Sequence, residues 1–307
     1  MKRHISLLLL FICSLSSSTF ASVEIASDHQ LSNYDIEHEG EWEGSFFFVQ
    51  MADCQIGMMD YNKSWLKEIE LIEKAVEIIN KIKPRYVILC GDLTNAFPFE
   101  PSYKDQVADY KRTIQKIDQN IPLLCLCGNH DVGNSPSRTT IQAYEDHFGS
   151  HYYSFWVSGT QNFVLNTSLY NDSSKAPELL QEQNTWIHKE LADETSTNKA
   201  IHRFIFGHHP WFLHEPDERE NYYNIKRSLR YPFLEAAQRG SITACFAGHF
   251  HQNAHGVYKG MEMITTSALG LPLGVDSSGL RIIKVYKDRI EHEFYELDNI
   301  PQAIVMD

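Results

Sequence analysis

The chain has 307 residues, of which 43% are hydrophobic and 22% are charged. This is the composition of a globular protein, and it excludes a disordered or fibrous chain. A formal net charge of -13, from 27 basic and 40 acidic residues, repels polyanions, and because the sequence has no basic stripe it argues against nucleic-acid binding.

The amino-terminal residues have the pattern of a secretory signal peptide. Two basic residues at positions 2 and 3 precede an apolar run over residues 5–15, and small and polar residues follow as far as Ala21. The pattern predicts a signal peptide over residues 1–21 and a secreted, lumenal or periplasmic location. Because the apolar run is shorter than the roughly 20 residues that a spanning helix needs, no stable membrane insertion is expected.

The order of predicted elements indicates the fold class. Residues 22–44 are polar and acidic without clear periodicity, and a partly ordered lead-in is expected there. From residue 45 onward, short apolar runs alternate with segments of helical periodicity, which predicts an α/β protein with one catalytic domain over 45–298 and a C-terminal tail over 299–307. Strands are predicted at 46–52, 86–90, 122–127, 152–157, 162–168, 202–207, 242–248, 261–268 and 280–297, and helices at 65–82, 103–118, 139–147 and 178–194.

Polar residues follow several predicted strands at the point where each strand ends. They are Asp53, Asp92, Asn129, His130, His208, His249 and His251. Because ligands bind outside the carboxyl ends of strands in open α/β sheets, these side chains are expected to converge although they are far apart in the sequence. A mixed set of oxygen and nitrogen donors suits Mn, Zn or Fe better than Ca. Two such ions need a bridging carboxylate, for which Asp92 is the natural candidate.

Five short blocks carry a resemblance to a known family. In chain order they read Asp53-Cys54-Gln55, Gly91-Asp92-Leu93-Thr94-Asn95, Gly128-Asn129-His130-Asp131, Gly207-His208-His209 and Gly248-His249-Phe250-His251. One block alone is weak, but five in this order at predicted strand ends resemble the calcineurin-like metallophosphoesterases. The segments DCQIG, GNHDVGN, HYYSFWVSG and TTSALGLPLGVDSSGLRI are most similar to the calcineurin-like phosphoesterase domain-containing protein 1 family, described as serine/threonine phosphatases. The resemblance covers residues 41–297 and implies a four-layer sandwich of two mixed β-sheets flanked by helices.

The resemblance also implies how two divalent metal ions are held. The first ion would be bound by Asp53, Asp92 and His251, with Gln55 as a weak or indirect ligand. The second would be bound by Asp92, Asn129, His208 and His249. Gln55 stands where most members have His, and because an amide oxygen is a weaker donor than imidazole, the first ion is expected to be held more loosely.

Three further residues receive catalytic roles by the same resemblance. Two metal ions neutralise the charge of a phosphate monoester and activate water for in-line attack, and His130 would protonate the leaving alkoxide as general acid. Asn95 would orient His130 by a hydrogen bond, at the place where many phosphoprotein phosphatases carry an Asp. Two interpretations of Asp131 stay open, since it either supports His130 or caps the following turn.

The predicted activity is metal-dependent hydrolysis of phosphate monoesters. By resemblance, the favoured substrates are phosphoserine and phosphothreonine proteins, so a phosphorylated protein or a small phosphate ester is the expected partner and a monomer is favoured. Because the core motifs do not separate monoesterases from diesterases, a phosphodiesterase or nucleotide phosphohydrolase is an alternative. A catalytically weak protein that binds phosphate ligands is another.

Two residue types bear on the predicted secretion, and an odd number of buried thiols is unusual for an oxidising compartment. Five cysteines beyond the signal peptide fall in or next to the predicted strands, so they are expected to be buried without a disulfide framework. Asn62, Asn166 and Asn171 begin N-glycosylation triplets, although Asn166 lies on a predicted strand, where a glycan fits poorly.

Overall fold

Short apolar strands and amphipathic helices build a layered α/β fold in the computed structural model, which describes residues 23–306. The predicted signal peptide lies outside the described residues. The strands within them are β1 Phe46–Met51, β2 Val87–Cys90, β3 Leu123–Leu126, β4 Tyr153–Val157, β5 Thr160–Val164, β6 His202–Phe206, β7 Ala244–Ala247, β8 Ala254–Tyr258, β9 Met261–Thr265, β10 Gly279–Val285 and β11 Ile290–Glu296. The helices are α1 Ile36–Glu39, α2 Leu66–Ile82, α3 Tyr103–Ile114, α4 Asn129–Val132, α5 Arg138–Phe148, α6 Ser168–Asn171, α7 Pro177–Leu191, α8 Glu194–Lys199 and α9 Arg227–Arg239. None of these helices is both long and apolar enough to cross a bilayer.

The strands form two mixed sheets. The first has the order β11-β10-β1-β2-β3, and the second has the order β4-β5-β6-β7-β9-β8. Strands β1, β2 and β3 are parallel in the first sheet, and β5, β6, β7 and β9 are parallel in the second. Antiparallel pairs complete both sheets: β10 pairs with β1, β11 pairs with β10 at the edge of the first sheet, and β4 and β8 form the edges of the second sheet.

The two-residue period of β1 explains how the layers pack. Phe48 is fully buried between the sheets, where its ring lies 5.6 Å from the ring of Phe246 on β7. Val49 and Met51 lie in the core that α2 and α3 cover on the other face of the first sheet. Helices α7 and α9 cover the outer face of the second sheet. The expected four-layer sandwich is therefore confirmed.

The prediction of a single strand over residues 280–297 is wrong. Residues 280–297 form two antiparallel strands, β10 and β11, joined by a turn in which the Tyr286 N–H donates to the Arg289 carbonyl at 2.9 Å. Apolar residues continue on both sides of this short polar turn, so hydrophobic patterning alone did not reveal it. Helix α9, which contains Pro232, and the half-exposed edge strand β8 were also missed.

The acidic lead-in is ordered over its described part and ties both sheets together. The Glu24 N–H donates to the Leu123 carbonyl at 2.8 Å beside the first sheet. The Glu39 carboxylate contacts Arg85 at 2.5 Å and accepts the Ser158 N–H at 2.8 Å, which links the two sheets.

The five cysteines in the described part of the chain are free and buried. They are Cys54, Cys90, Cys125, Cys127 and Cys245. Burial raises the pKa of every one of these thiols, so they are held as unreactive core groups.

Candidate metal centre

The carboxyl ends of five parallel strands meet at one place between the sheets. Loops after β1, β2 and β3 of the first sheet and after β6 and β7 of the second contribute its side chains. All seven side chains that the sequence marked as metal ligands lie there, and each is at most 5% exposed. They are Asp53, Gln55, Asp92, Asn129, His208, His249 and His251.

Two three-residue groups within this centre have the spacing of metal ligands. One contains Asp53, Asp92 and His251, and the other contains Asp92, His208 and His249. Within each group the possible ligand atoms lie within 4.8 Å of one another. Asp92 belongs to both groups, so its carboxylate would contact both ions if two were bound.

Each imidazole is oriented by a backbone carbonyl behind it. Nδ1 of His208, Nδ1 of His251 and Nε2 of His249 lie at hydrogen-bond distance from carbonyl oxygens and donate to them. The acceptors, at 2.9, 2.7 and 3.0 Å respectively, are the carbonyls of Cys90, Leu271 and Tyr222. A neutral imidazole that donates from one nitrogen has a lone pair on the other, so in their neutral forms all three rings present a lone pair to the centre.

Nitrogen and oxygen atoms lie close together where these side chains face the centre, and Nε2 of His208 and of His251 lies 3.3 and 3.2 Å from the Asp92 and Asp53 carboxylates respectively. His208 Nε2 lies 3.2 Å from His249 Nδ1 and 3.1 Å from Asn129 Oδ1. The Asn129 amide is held in this orientation because its Nδ2 donates to Asn134 Oδ1 at 2.9 Å. Gln55 Oε1 is also buried and has no hydrogen-bond partner within residues 23–306. Closely spaced nitrogen and oxygen atoms, and a buried amide oxygen without a hydrogen-bond partner, are the environment that a bound cation would stabilise.

The electrostatics of the centre favour positive charge. Burial alone lowers the pKa of His208, but the Asp92 and Asp53 carboxylates outweigh burial and raise that pKa to about 9. Burial raises the pKa of Asp92, but His208 and His130 outweigh it and hold this pKa well below its usual range. Burial, assisted by the charge of His208, lowers the pKa of His249 to about 4. A neutral His249 is the form that binds metal.

Five residues of the centre have a left-handed backbone conformation. Left-handed φ angles of 51°, 37°, 50°, 67° and 54° occur at Asp53, Gln55, Asp92, His249 and His251. Strain of this kind clusters at functional sites. A Cβ at Gly128 would lie 2.1 Å from Asp92 Oδ1, and one at Gly248 would lie 2.5 Å from Asp53 Oδ2. A side chain at either position would clash, because the loop after β3 lies against Asp92 and the loop after β7 lies against Asp53.

His130 is held at the edge of this centre. Its backbone N–H donates to Asp92 Oδ1 at 2.8 Å, and its ring stacks on Phe97 with a centroid distance of 4.6 Å. Its Nδ1 donates to the backbone carbonyl of Asn95 at 2.6 Å. The orienting contact thus comes from the main chain of Asn95, whereas the sequence led us to expect the side chain. Nε2 is the ring nitrogen left for chemistry.

Asp131 has the contacts of a capping residue. Its Oδ2 accepts the Gly128 N–H at 2.7 Å, and its Oδ1 accepts the Leu93 N–H at 3.0 Å. The structure gives it no hydrogen bond to His130 within residues 23–306. Burial and the nearby Asp92 carboxylate raise the pKa of Asp131 to about 7. These contacts favour the capping role, and the contact with Leu93 also ties the loop after β2 to the loop after β3.

Several residues around the centre carry no motif that the sequence analysis used. Phe97 stacks on His130, and the Thr167 hydroxyl accepts the backbone N–H groups of His208 and His209 at 2.9 and 2.7 Å. Loops 222–224 and 270–274 also border the centre, and the carbonyls of Tyr222 and Leu271 in these loops orient His249 and His251.

A third group of possible ligands lies apart from the centre, at the edge of the sheets. It contains His255 of β8, Glu262 of β9 and His292 of β11. Arg281 donates to His292 Nδ1 at 3.0 Å, so in the neutral ring Nε2 carries the proton and points at Glu262. This hydrogen-bonded arrangement opposes metal binding through Nε2, because a metal needs that lone pair.

The centre and its fold have known counterparts. The calcineurin-like phosphoesterase family matches residues 48–253. Serine/threonine-protein phosphatase CPPED1 of Mus musculus is 38% identical over 289 residues, which is 91% of this chain and 92% of the relative. The protein of the same name from Homo sapiens is 36% identical over 294 residues, which is 92% of this chain and 93% of the relative. A solved dimetal phosphatase from Danio rerio has a TM-score of 0.60 at 15% identity, covering 83% of this chain and 97% of that structure, and this likeness bears on the fold alone.

Proposed function

This chain belongs to the calcineurin-like phosphoesterase family, a family of metal-dependent phosphoester hydrolases, and we propose that it is a phosphatase for phosphoserine and phosphothreonine proteins that uses two divalent metal ions. The observation that carries the proposal is the convergence of three oriented imidazole lone pairs with two carboxylates and two amide oxygens. The name serine/threonine-protein phosphatase, which relatives 36–38% identical to this chain bear, supports the substrate class.

The residues fit two ions of the Mn, Zn or Fe type. Asp53, Asp92 and His251 would hold one ion together with Gln55, and Asp92, Asn129, His208 and His249 would hold the other. When bound, the ions neutralise the charge of the phosphate and activate water for attack. The chain orients the three imidazoles and the Asn129 amide, since backbone carbonyls and Asn134 fix which of their atoms face the ions.

His130 has the position of a general acid in this proposal. The alkoxide of serine or threonine is a poor leaving group, so it needs a proton as the ester bond breaks. Because Nδ1 of His130 donates to the Asn95 carbonyl, the proton for the leaving oxygen would come from Nε2. The backbone N–H of His130 also holds Asp92, which fixes the distance between the acid and the ligand groups.

A substrate panel tests the proposal. The full chain is stripped of metal with a chelator, reconstituted with Mn²⁺, and assayed on a phosphoserine peptide, bis(p-nitrophenyl) phosphate and a set of nucleotides. We expect metal-dependent turnover that is fastest on the phosphopeptide. Faster turnover of the bis-ester or of a nucleotide would contradict the substrate class, and Asp53→Asn serves as the control for contaminating phosphatases.

We also propose that the enzyme acts after export from the cytosol. The basic, apolar and small-residue pattern of residues 1–21 supports export, and the burial of all five described free thiols protects them from oxidation. Amino-terminal sequencing of exported protein is expected to begin at residue 22. Recovery of the chain only inside cells, with Met1 retained, would contradict this.

A further inference from the structure

A chain of side-chain amides runs from α3 to the metal centre, and it ends on Gln55. Gln106 lies on α3 and is fully buried, and its Nε2 donates to Asn62 Oδ1 at 2.9 Å. Asn62 Oδ1 also accepts from Asn95 Nδ2 at 2.7 Å. Asn95 Oδ1 in turn accepts from Gln55 Nε2 at 3.1 Å. We call these four residues the amide relay.

Backbone N–H groups at the Gln106 end of the relay determine which end of each amide is the oxygen and which is the nitrogen. Gln106 Oε1 accepts the backbone N–H groups of Asn95 and Ala96 at 3.1 and 2.8 Å. Backbone N–H groups only donate, so this end of Gln106 has to be its oxygen and the other end its NH₂. The NH₂ of Gln106 then requires an oxygen from Asn62, and that oxygen requires the NH₂ of Asn95. Asn95 is left with its oxygen toward Gln55.

The last amide in the relay is thereby forced to donate with its nitrogen. Gln55 Nε2 pairs with Asn95, and Gln55 Oε1 is left buried without a partner in the described chain. An amide free to rotate would present either end to a cation, and the NH₂ end repels it. We propose that Asn95, Asn62 and Gln106 are positioning residues, whose hydrogen bonds hold Gln55 with its oxygen toward the first metal ion. The inference rests on the proposed function, because it concerns a ligand of that centre.

The backbone is shaped to let the relay form. Gly57 lies beside the meeting point of two amides, and a Cβ there would lie 2.2 Å from Gln106 Nε2 and 2.6 Å from Asn62 Oδ1. Its φ of +108° also disfavours any side chain. Asn95 belongs to the relay by its side chain and holds His130 by its carbonyl, so one residue fixes both a ligand and the proposed acid.

Two nearly isosteric substitutions separate the effect of amide orientation on metal binding from the effect of an added negative charge. In Gln106→Glu, one carboxylate oxygen keeps the backbone contacts and the other faces Asn62 Oδ1, so the amides of Asn62, Asn95 and Gln55 all have to turn over. This turns the NH₂ of Gln55 toward the ion. Asn62→Asp also adds one carboxylate, but it keeps the oxygen that accepts from both neighbours and leaves the direction of the relay intact. A proton taken up by the new Glu would preserve the original direction, so Asn95→Ala, which removes the partner of Gln55, is the third variant.

The measurement is Mn²⁺ binding to the metal-stripped full chain by calorimetry, with thermal unfolding recorded for each variant. Partners that orient a ligand typically contribute 10- to 100-fold in metal affinity, so we expect Asn95→Ala to weaken one of two Mn²⁺ sites by about that factor. Gln106→Glu is expected to weaken the same site by a similar factor, while Asn62→Asp is expected to bind both ions with affinities within about threefold of those of the original chain. Wild-type affinity in both Asn95→Ala and Gln106→Glu would overturn the relay, as would an equal loss in Asn62→Asp. Failure of the unmodified chain to bind Mn²⁺ would instead overturn the proposed function.

Discussion

Replacement of His130 by alanine tests the proposed acid through the chemistry of the leaving group. The backbone N–H that holds Asp92 is retained in His130→Ala, so the metal ligands are expected to stay in place. The half-buried ring is stacked on Phe97 and contributes no atom to the two ligand groups. The variant therefore removes the proton donor at Nε2, the Nδ1 hydrogen bond to Asn95 and the stacking on Phe97, but no atom of the two ligand groups.

The size of the effect follows from what that proton does. A positioned general acid contributes about 10²- to 10⁴-fold in rate, which corresponds to about 2.7–5.4 kcal/mol in the barrier. Serine and threonine alkoxides need the proton, so turnover of a phosphoserine peptide by His130→Ala is expected to fall by this factor. The p-nitrophenolate anion leaves without protonation, so turnover of p-nitrophenyl phosphate is expected to fall by less than about tenfold.

The assay compares kcat for the two substrates in the original chain and in His130→Ala, with Mn²⁺ content measured in both. The expected result is a large change in the ratio of the two kcat values at unchanged metal content. Equal losses on both substrates would refute the general-acid role. Loss of Mn²⁺ from the variant would show that His130 acts through the metal centre.

Three other predictions concern metal, pH and core packing. Asp92→Asn is expected to lose both metal and activity because both ligand groups share this carboxylate; elemental analysis that finds two ions retained would remove Asp92 from the shared position. Burial and then the neighbouring His29 lower the pKa of His151 to about 3, below its unfolded value of about 6.5, so its contribution to stability is present above pH 6.5 and is lost as the pH falls toward 3. His151→Gln, which gains no proton in this range, is expected to flatten the decline of Tm between pH 7 and 4, and an unchanged slope would contradict this. Phe48→Ala removes a fully buried ring between the sheets and should lower the free energy of unfolding by about 3–5 kcal/mol in urea titration, whereas Val275→Ala, at a fully exposed position, should change it by less than about 0.5 kcal/mol.

Strand patterns predicted most of the sandwich because buried parallel strands are short continuous apolar runs. β2 and β3 are four-residue segments that are buried throughout, as is typical of parallel strands covered on both faces. The pattern did not divide residues 280–297 into β10 and β11, since apolar residues occur in both strands and the turn between them is short. Helix α9 was missed because Pro232 weakens the helical signal, although the helix packs its apolar face on the second sheet.

The sequence by itself predicted which side chains converge at the candidate metal centre. Blocks such as Gly128-Asn129-His130 carry their chemistry locally, because the glycine makes room for a neighbouring carboxylate and the next residues supply donors. Local chemistry of this kind is visible in a short segment without knowledge of what packs against it.

Only the tertiary structure decided which atom of each side chain faces the centre. His208 and His251 face it with Nε2 and His249 with Nδ1, because carbonyls from distant loops take the other nitrogen. Asn95 likewise orients His130 through its carbonyl, while its amide pairs with Gln55. Tautomers and amide orientations depend on partners up to 118 residues away, as for His208 and Cys90, and no periodicity or motif in the sequence encodes those contacts.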